Sequence, residues 1–303
     1  MSKCKGCGIT LQSNDKEKSG YTPKEGSKLC ERCFKITNYN YHEKESKIID
    51  NNLIIKGINH KKGATLFLCD ILNLNSKMME LYDLVNQPKV LVITKSDMIP
   101  KNVSINDLKE RLKKIYHLED VLFISTLSGY GKNDLLDYVY EYPKVIFAGP
   151  TSSGKSSLIN YLFNKKLTVS NHKNTTQEFI TLKIENQEII DAPGFYEDYI
   201  IDNIKQNGYI NPKTIYVKKG YLLSIGDFQC YADKDVNLTL FLPKGIIIKT
   251  CKIKKEFIEE LHINEGSDLI IRNIGFIYFK ETTHLKINNA SIIDIRRSIV
   301  GGK

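Results

Sequence analysis

The chain has 303 residues, enough for two or three domains, and its 41% hydrophobic and 26% charged content is that of an ordinary globular protein, not a disordered or fibrous one. No apolar run approaches the roughly 18 residues of a membrane span and the Lys- and Cys-bearing N-terminus has no apolar leader, so the expected compartment is the cytoplasm, with no membrane partner. The net charge of +9 divides into +3 for residues 1–45 (9 Lys/Arg against 6 Asp/Glu), +1 for 46–208 (20 against 19) and +5 for 209–303 (15 against 10). This basic balance at both ends points to a polyanion such as RNA, with a solvated Lys-rich surface as the plainer explanation.

Residues 1–45 show little periodicity but hold Cys4-Lys5-Gly6-Cys7 and Cys30-Glu31-Arg32-Cys33, two pairs of two-residue spacing. That spacing lets two tight turns aim four thiolates at one ion at about 2.3 Å, so Cys4, Cys7, Cys30 and Cys33 are expected to form a zinc finger that folds with its metal. A disulfide framework is the alternative, and a reducing compartment argues against it. Cys69, Cys230 and Cys251 lie in apolar, strand-like surroundings and are assigned no function.

From about residue 65 to 192, apolar runs alternate with amphipathic patterns. Strands are expected at 65–72, 89–94, 121–125, 144–148 and 187–191, and helices at 76–86, 105–117, 132–140 and 155–163, the signature of a mostly parallel, doubly wound sheet. After about 210 the pattern becomes short β-rich stretches with one helix near 254–262, which predicts a separate small β-rich domain. The expected organisation is a zinc finger (1–45), an α/β nucleotide domain (46–208) and a β-rich domain (209–303) that would bind RNA.

The chemistry is carried by Gly149-Pro150-Thr151-Ser152-Ser153-Gly154-Lys155-Ser156, a full GxxxxGK[ST] match between a predicted strand and a predicted helix. Gly149, Ser152, Ser153, Gly154, Lys155, Ser156 and Ser157 are taken as the phosphate-binding set. Backbone N–H groups cradle the phosphates at a helix N-terminus, Lys155 reaches the β/γ oxygens and Ser156 ligates magnesium. Downstream, Asp191 at the end of an apolar strand is the expected magnesium-linked carboxylate and Gly194 the residue whose N–H meets the γ-phosphate. Between them, Thr175 and Thr176 offer a hydroxyl for the metal shell, with Thr176 preferred, so Lys155, Thr176 and Gly194 are the expected catalytic set.

Base selection is expected upstream, in Thr94-Lys95-Ser96-Asp97: the Asp97 carboxylate can accept from guanine N1–H and its amine, and the Lys95 stem can lie along the ring. Ser125 and Thr126, after another strand, supply the position where a backbone N–H meets the guanine O6. These elements normally follow the phosphate loop; here they precede it, which is the order of a circularly permuted P-loop GTPase binding GTP/GDP with magnesium. A spatial site survives such rearrangement.

With the Cys30-Glu31-Arg32-Cys33-Phe34 finger, Asn38-Tyr39-Asn40, Cys69-Asp70-Ile71, the permuted motif order and the ending Ile295-Arg296-Arg297-Ser298-Ile299, nearly the whole chain resembles the YqeH-type circularly permuted GTPases. The resemblance implies a zinc finger, a GTPase domain and a C-terminal RNA-binding domain in series, acting in assembly of the small ribosomal subunit through its precursor or rRNA, and it places Asp70 in the scaffold of the site. Departures are Thr94 for Asn, Asn73 for Asp, Asn174 for Gly, and Ser152 for an Asn that helps hold an activating potassium ion in related GTPases. Phe195 stands where a Ras-like switch places a Gln, so unassisted hydrolysis is expected to be slow. The chain is taken as a monomer. The alternative function is a nucleotide-gated adaptor whose end domains bind proteins, with hydrolysis incidental.

Overall fold

The structure, a computed structural model, describes residues 2–5, 9–16, 18, 20–24, 26–31, 33–34, 49–151, 153–164, 178–184, 186–196, 209–253, 255–272 and 274–301. In chain order the elements are α1 (Asn51–Lys61), β1 (Ala64–Asp70), α2 (Ser76–Asp83), β2 (Lys89–Thr94), a 3-10 turn (Ser96–Met98), α3 (Ile105–Tyr116), β3 (Val121–Phe123), α4 (Lys132–Tyr140), β4 (Lys144–Ala148), α5 (Lys155–Phe163), β5 (Ile180–Ile184) and β6 (Gln187–Asp191). Ten strands follow: β7 (Ile210–Val217), β8 (Leu222–Ile225), β9 (Phe228–Ala232), β10 (Val236–Pro243), β11 (Ile248–Cys251), β12 (Glu259–Ile263), β13 (Ser267–Ile271), β14 (Gly275–Phe279), β15 (Thr283–Ile287) and, after a 3-10 turn at Ala290–Ile292, β16 (Ile293–Arg297).

The chain forms two compact units, one of Met1–Cys69, Leu81–Thr94 and Leu122–Glu197, the other of Asp70–Glu80, Lys95–Val121 and Asp198–Lys303. The first is built on a six-stranded sheet of order β3-β2-β1-β4-β6-β5, in which β1 pairs with β4 and β4 with β6 in parallel. β1 is buried at every position, because a parallel strand covered on both faces needs a continuous apolar run, and Leu66, Leu68, Phe147, Leu158 and Ile189 join in its core. β5 is an antiparallel edge strand on β6, with alternating exposure too weak to announce itself in the sequence. α1 is likewise unannounced: Asn51, Asn52 and Gly57 dilute its pattern, yet Asp50 caps it by accepting from the Asn52 N–H at 2.9 Å, and Ile54, Ile55 and Ile58 bury its inner face.

In the second unit, two five-stranded sheets have the orders β16-β13-β14-β10-β7 and β11-β8-β9-β15-β12, antiparallel throughout. Alternation places Leu238, Leu240, Leu285 and Ile287 inward, where they share a core with Phe228 and Phe279. Where a helix is expected near 254–262, residues 255–258 have no regular structure and Glu259–Ile263 form strand β12, pairing with Ile287 to Thr283 of β15. Glu259, Glu260 and Leu261 favour helix locally, and the ladder and the burial of Ile263 override them. No helix among the described residues is long and apolar enough to cross a membrane.

Candidate functional site

The phosphate loop leaves β4 through Gly149, at φ 145°, where a Cβ would run into the Leu68 carbonyl. It enters α5 through Gly154, at φ 90°. Both glycines occupy backbone conformations that other residues reach only with strain. Lys155 is 6% exposed and folds back across the loop, donating from Nζ to the carbonyls of Gly149 and Pro150, each at 2.9 Å. Burial pulls its pKa from the ordinary 10.5 down to about 8, against the opposing pull of the Asp191 carboxylate. Ser153 is buried and Ser157 half-buried.

The two residues expected to share a magnesium ion meet directly: Ser156 Oγ donates to Asp191 Oδ2 at 2.7 Å. The segment after Asp191 zips onto the phosphate loop. Ala192 N–H donates to the Phe147 carbonyl at 3.0 Å, Phe195 N–H to that of Gly149 at 3.1 Å, and Thr151 N–H to that of Phe195 at 3.1 Å. Gly194 lies against Thr151 so closely that a Cβ would sit 2.6 Å from its Cγ2 and 3.0 Å from its Cα. Phe195 is fully buried and stacks on Phe67 with ring centroids 5.5 Å apart. Its position is a core position, which the comparison with a Ras-like Gln could not reveal.

At the end of β2, Thr94 is buried and its hydroxyl donates to the Ser153 carbonyl at 3.0 Å. The residue that departs from Asn thus links the end of β2 to the phosphate loop. Lys95 adopts the left-handed region at φ 54° and its Nζ lies 2.8 Å from Asp70 Oδ2, a carboxylate only 2% exposed. Asn73 donates its amide to both Asp70 oxygens, at 2.9 and 3.0 Å, a bond that an Asp at this position would replace with repulsion. Asp97 is exposed in the short turn that follows. Ser125 is buried; its hydroxyl accepts from the N–H groups of Leu127 and Ser128 and shapes the loop, leaving Thr126 exposed. Ser152, Thr175 and Thr176 lie outside the described residues.

Cys4, Cys30 and Cys33 are buried, with sulfurs within 4.8 Å of one another. The Cys30 N–H points at Cys4 Sγ (3.2 Å) and the Cys33 N–H at Cys30 Sγ (3.5 Å), the donors that stabilise thiolates around an ion. Cys7 lies outside the described residues. Cys230 is inert by comparison, its pKa pushed up to about 12 by burial.

Three comparisons bear on this arrangement. A family model described as RsgA GTPase matches residues 48–199, and one described as 50S ribosome-binding GTPase matches 144–271, a span that runs on into the antiparallel sheets. The chain is 30% identical over 234 residues to the uncharacterized protein YqeH of Bacillus subtilis, covering 70% of this chain and 63% of that one. It is 28% identical over 146 residues to the small ribosomal subunit biogenesis GTPase RsgA of Clostridium beijerinckii, covering 46% and 48%. The match thus spans less than two thirds of either relative's length. A crystal structure of YjeQ from Thermotoga maritima aligns with a TM-score of 0.33 at 26% identity, over 46% of this chain and 50% of that one. With Thr94–Asp97 ahead of the phosphate loop in the chain and half of its length matched by the RsgA GTPase model, the chain belongs to the RsgA GTPase family of circularly permuted GTPases.

Proposed function

We propose that the protein binds and hydrolyses GTP and uses that cycle in assembling the small ribosomal subunit, the role named for the RsgA proteins it resembles. The observation that carries the nucleotide reading is the convergence of Lys155, Ser156 and Asp191, drawn from a loop and a strand 35 residues apart, at the N-terminus of α5. Ser156 and Asp191 fit a magnesium ion, hard oxygen donors already within one coordination sphere of each other, with Thr176 as the further hydroxyl. The ion supplies neutralisation of charge on the β- and γ-phosphates. Lys155 holds its charge over the loop for the same oxygens, the Gly194 N–H serves the γ-phosphate, and Asp97 with Lys95 selects guanine. Zinc at Cys4, Cys7, Cys30 and Cys33 is the reading supported by the buried sulfur cluster.

Phe195 is locked in the core and cannot orient a water, so unassisted turnover is on the order of 10⁻⁴ to 10⁻³ per second and an outside group completes the site. The RNA contacts are assigned to the +5 C-terminal part, where Lys244, Lys249, Lys252 and Lys255 are exposed along and beside the edge strand β11. The exposed Ile247, Ile253 and Ile258 on the same stretch are what favour the second reading, a nucleotide-gated adaptor for proteins. Single-turnover GTP hydrolysis with and without purified small subunits, across a salt series, separates them. Stimulation that weakens steeply with salt supports the ribosomal reading; an unchanged rate and no association at low salt overturn it.

A further inference from the structure

The C-terminal Ile295-Arg296-Arg297-Ser298-Ile299 segment has two adjacent arginines, yet Arg296 is 6% exposed and faces inward. Its Nε lies 3.2 Å from Asp268 Oδ2, its guanidinium sits 4.8 Å over the Phe276 ring, and its Nη1 donates to the Leu74 carbonyl at 2.6 Å. Two residues earlier, on the same side of β16, Asp294 Oδ2 accepts from both the N–H and the hydroxyl of Ser76, at 2.6 and 2.7 Å. Both side chains therefore grip the 70–80 segment, not a solvent-facing ligand.

That segment begins with Asp70. Its Oδ1 accepts from the N–H groups of Leu72 and Asn73, at 3.1 and 3.0 Å, and its Oδ2 holds Lys95. A second tie runs from Arg111 of α3 to the Gly301 carbonyl, 2.9 Å away. The 70–80 segment and 95–121, which carries the base-reading turn, accordingly form one compact unit with the C-terminal sheets.

We infer that Asp294 and Arg296 are positioning residues for guanine recognition. Through Leu74 and Ser76 they fix the loop that presents Asp70, Asp70 fixes Lys95, and Lys95 sets the turn carrying Asp97. The inference rests on the guanine reading of Asp97. By reciprocity, whatever engages the C-terminal sheets and shifts β16 changes guanine affinity, and the nucleotide changes that engagement by the same factor.

The test uses the full chain and compares GDP with inosine diphosphate, which lacks the amine that Asp97 would accept. Arg296→Lys disturbs a buried pair, so the partly exposed Asp294→Ala is the primary variant, with its melting temperature recorded. Positioning predicts that Asp294→Ala weakens GDP about five- to tenfold, weakens inosine diphosphate less, and combines non-additively with Asp70→Asn in a double-mutant cycle. A folded Asp294→Ala protein with the parental GDP-to-inosine-diphosphate ratio, or additive losses in the cycle, overturns the inference. A parent chain that binds ADP as well as GDP instead sinks the guanine reading itself, and the inference with it.

Discussion

Ser156 and Asp191 are joined by a 2.7 Å hydrogen bond although one opens a helix and the other ends a strand 35 residues later. That bond assembles a hydroxyl and a carboxylate at the point where the phosphate loop meets the parallel sheet. Asp191→Asn removes the charge that would hold magnesium there. Its expected effect is a loss of magnesium affinity on the order of 10- to 100-fold, with GDP binding in EDTA much less changed. Titration of magnesium against nucleotide-loaded protein checks this, and an unaltered magnesium dependence rejects the assignment.

Lys155 gives a pH signature. Burial holds it at about 8 in the free protein. A bound phosphate favours its charged form, so binding takes up a proton at any pH above about 8. Nucleotide affinity is expected to be flat below that value and to fall by up to about tenfold per pH unit above it. The same depression means that the unfolded chain binds more protons between about 8 and 10.5, so this lysine's contribution to stability becomes more favourable as pH rises through that window. Nucleotide dissociation constants from pH 6.5 to 9.5, compared with those of Lys155→Met, measure the effect.

With Asp97 at the proposed base site, Asp97→Asn would swap an acceptor for a donor toward the guanine amine. A loss of roughly 3 kcal/mol, about 100-fold, is expected for GDP from two charge-assisted hydrogen bonds, with a gain for xanthosine diphosphate. Competition between the two nucleotides reads it directly; equal preference in parent and variant removes Asp97 from the base site.

Gly194 has no room for a methyl group beside Thr151. Gly194→Ala must push the segment off the phosphate loop, at about 1–3 kcal/mol of stability, and lower GTP hydrolysis more than GDP binding. Thermal unfolding and single-turnover kinetics on one preparation separate the two effects.

Cys30→Ser is expected to release zinc from freshly purified protein and unfold residues 1–45, while GDP affinity stays within about twofold, because a zinc-dependent segment draws its folding energy from the metal. Metal analysis of the parent chain is the decisive measurement. Purified protein without zinc defeats the four-cysteine site.

The phosphate loop, the strands at 89–94, 144–148 and 187–191 and the permuted order were all legible along the chain. Each depends on local spacing: a glycine turn between a buried strand and a helix, or an apolar run long enough for a covered parallel strand. What tertiary structure decided is how distant residues complete one another. Thr94 could be seen as a missing Asn, but only folding brings its hydroxyl to the Ser153 carbonyl 59 residues away. Asn73 looked like a departure and Asp70 like a scaffold acid without named partners, and folding supplies the bidentate contact between them under Lys95. Glu259–Ile263 carried a helix preference that its pairing with β15 reversed. Arg296 carried a charge that composition assigns to the surface, and its partners Asp268 and Leu74 drew it inside. Propensity and spacing act over a few residues, whereas burial and ion pairing are set by neighbours that sequence separation does not specify.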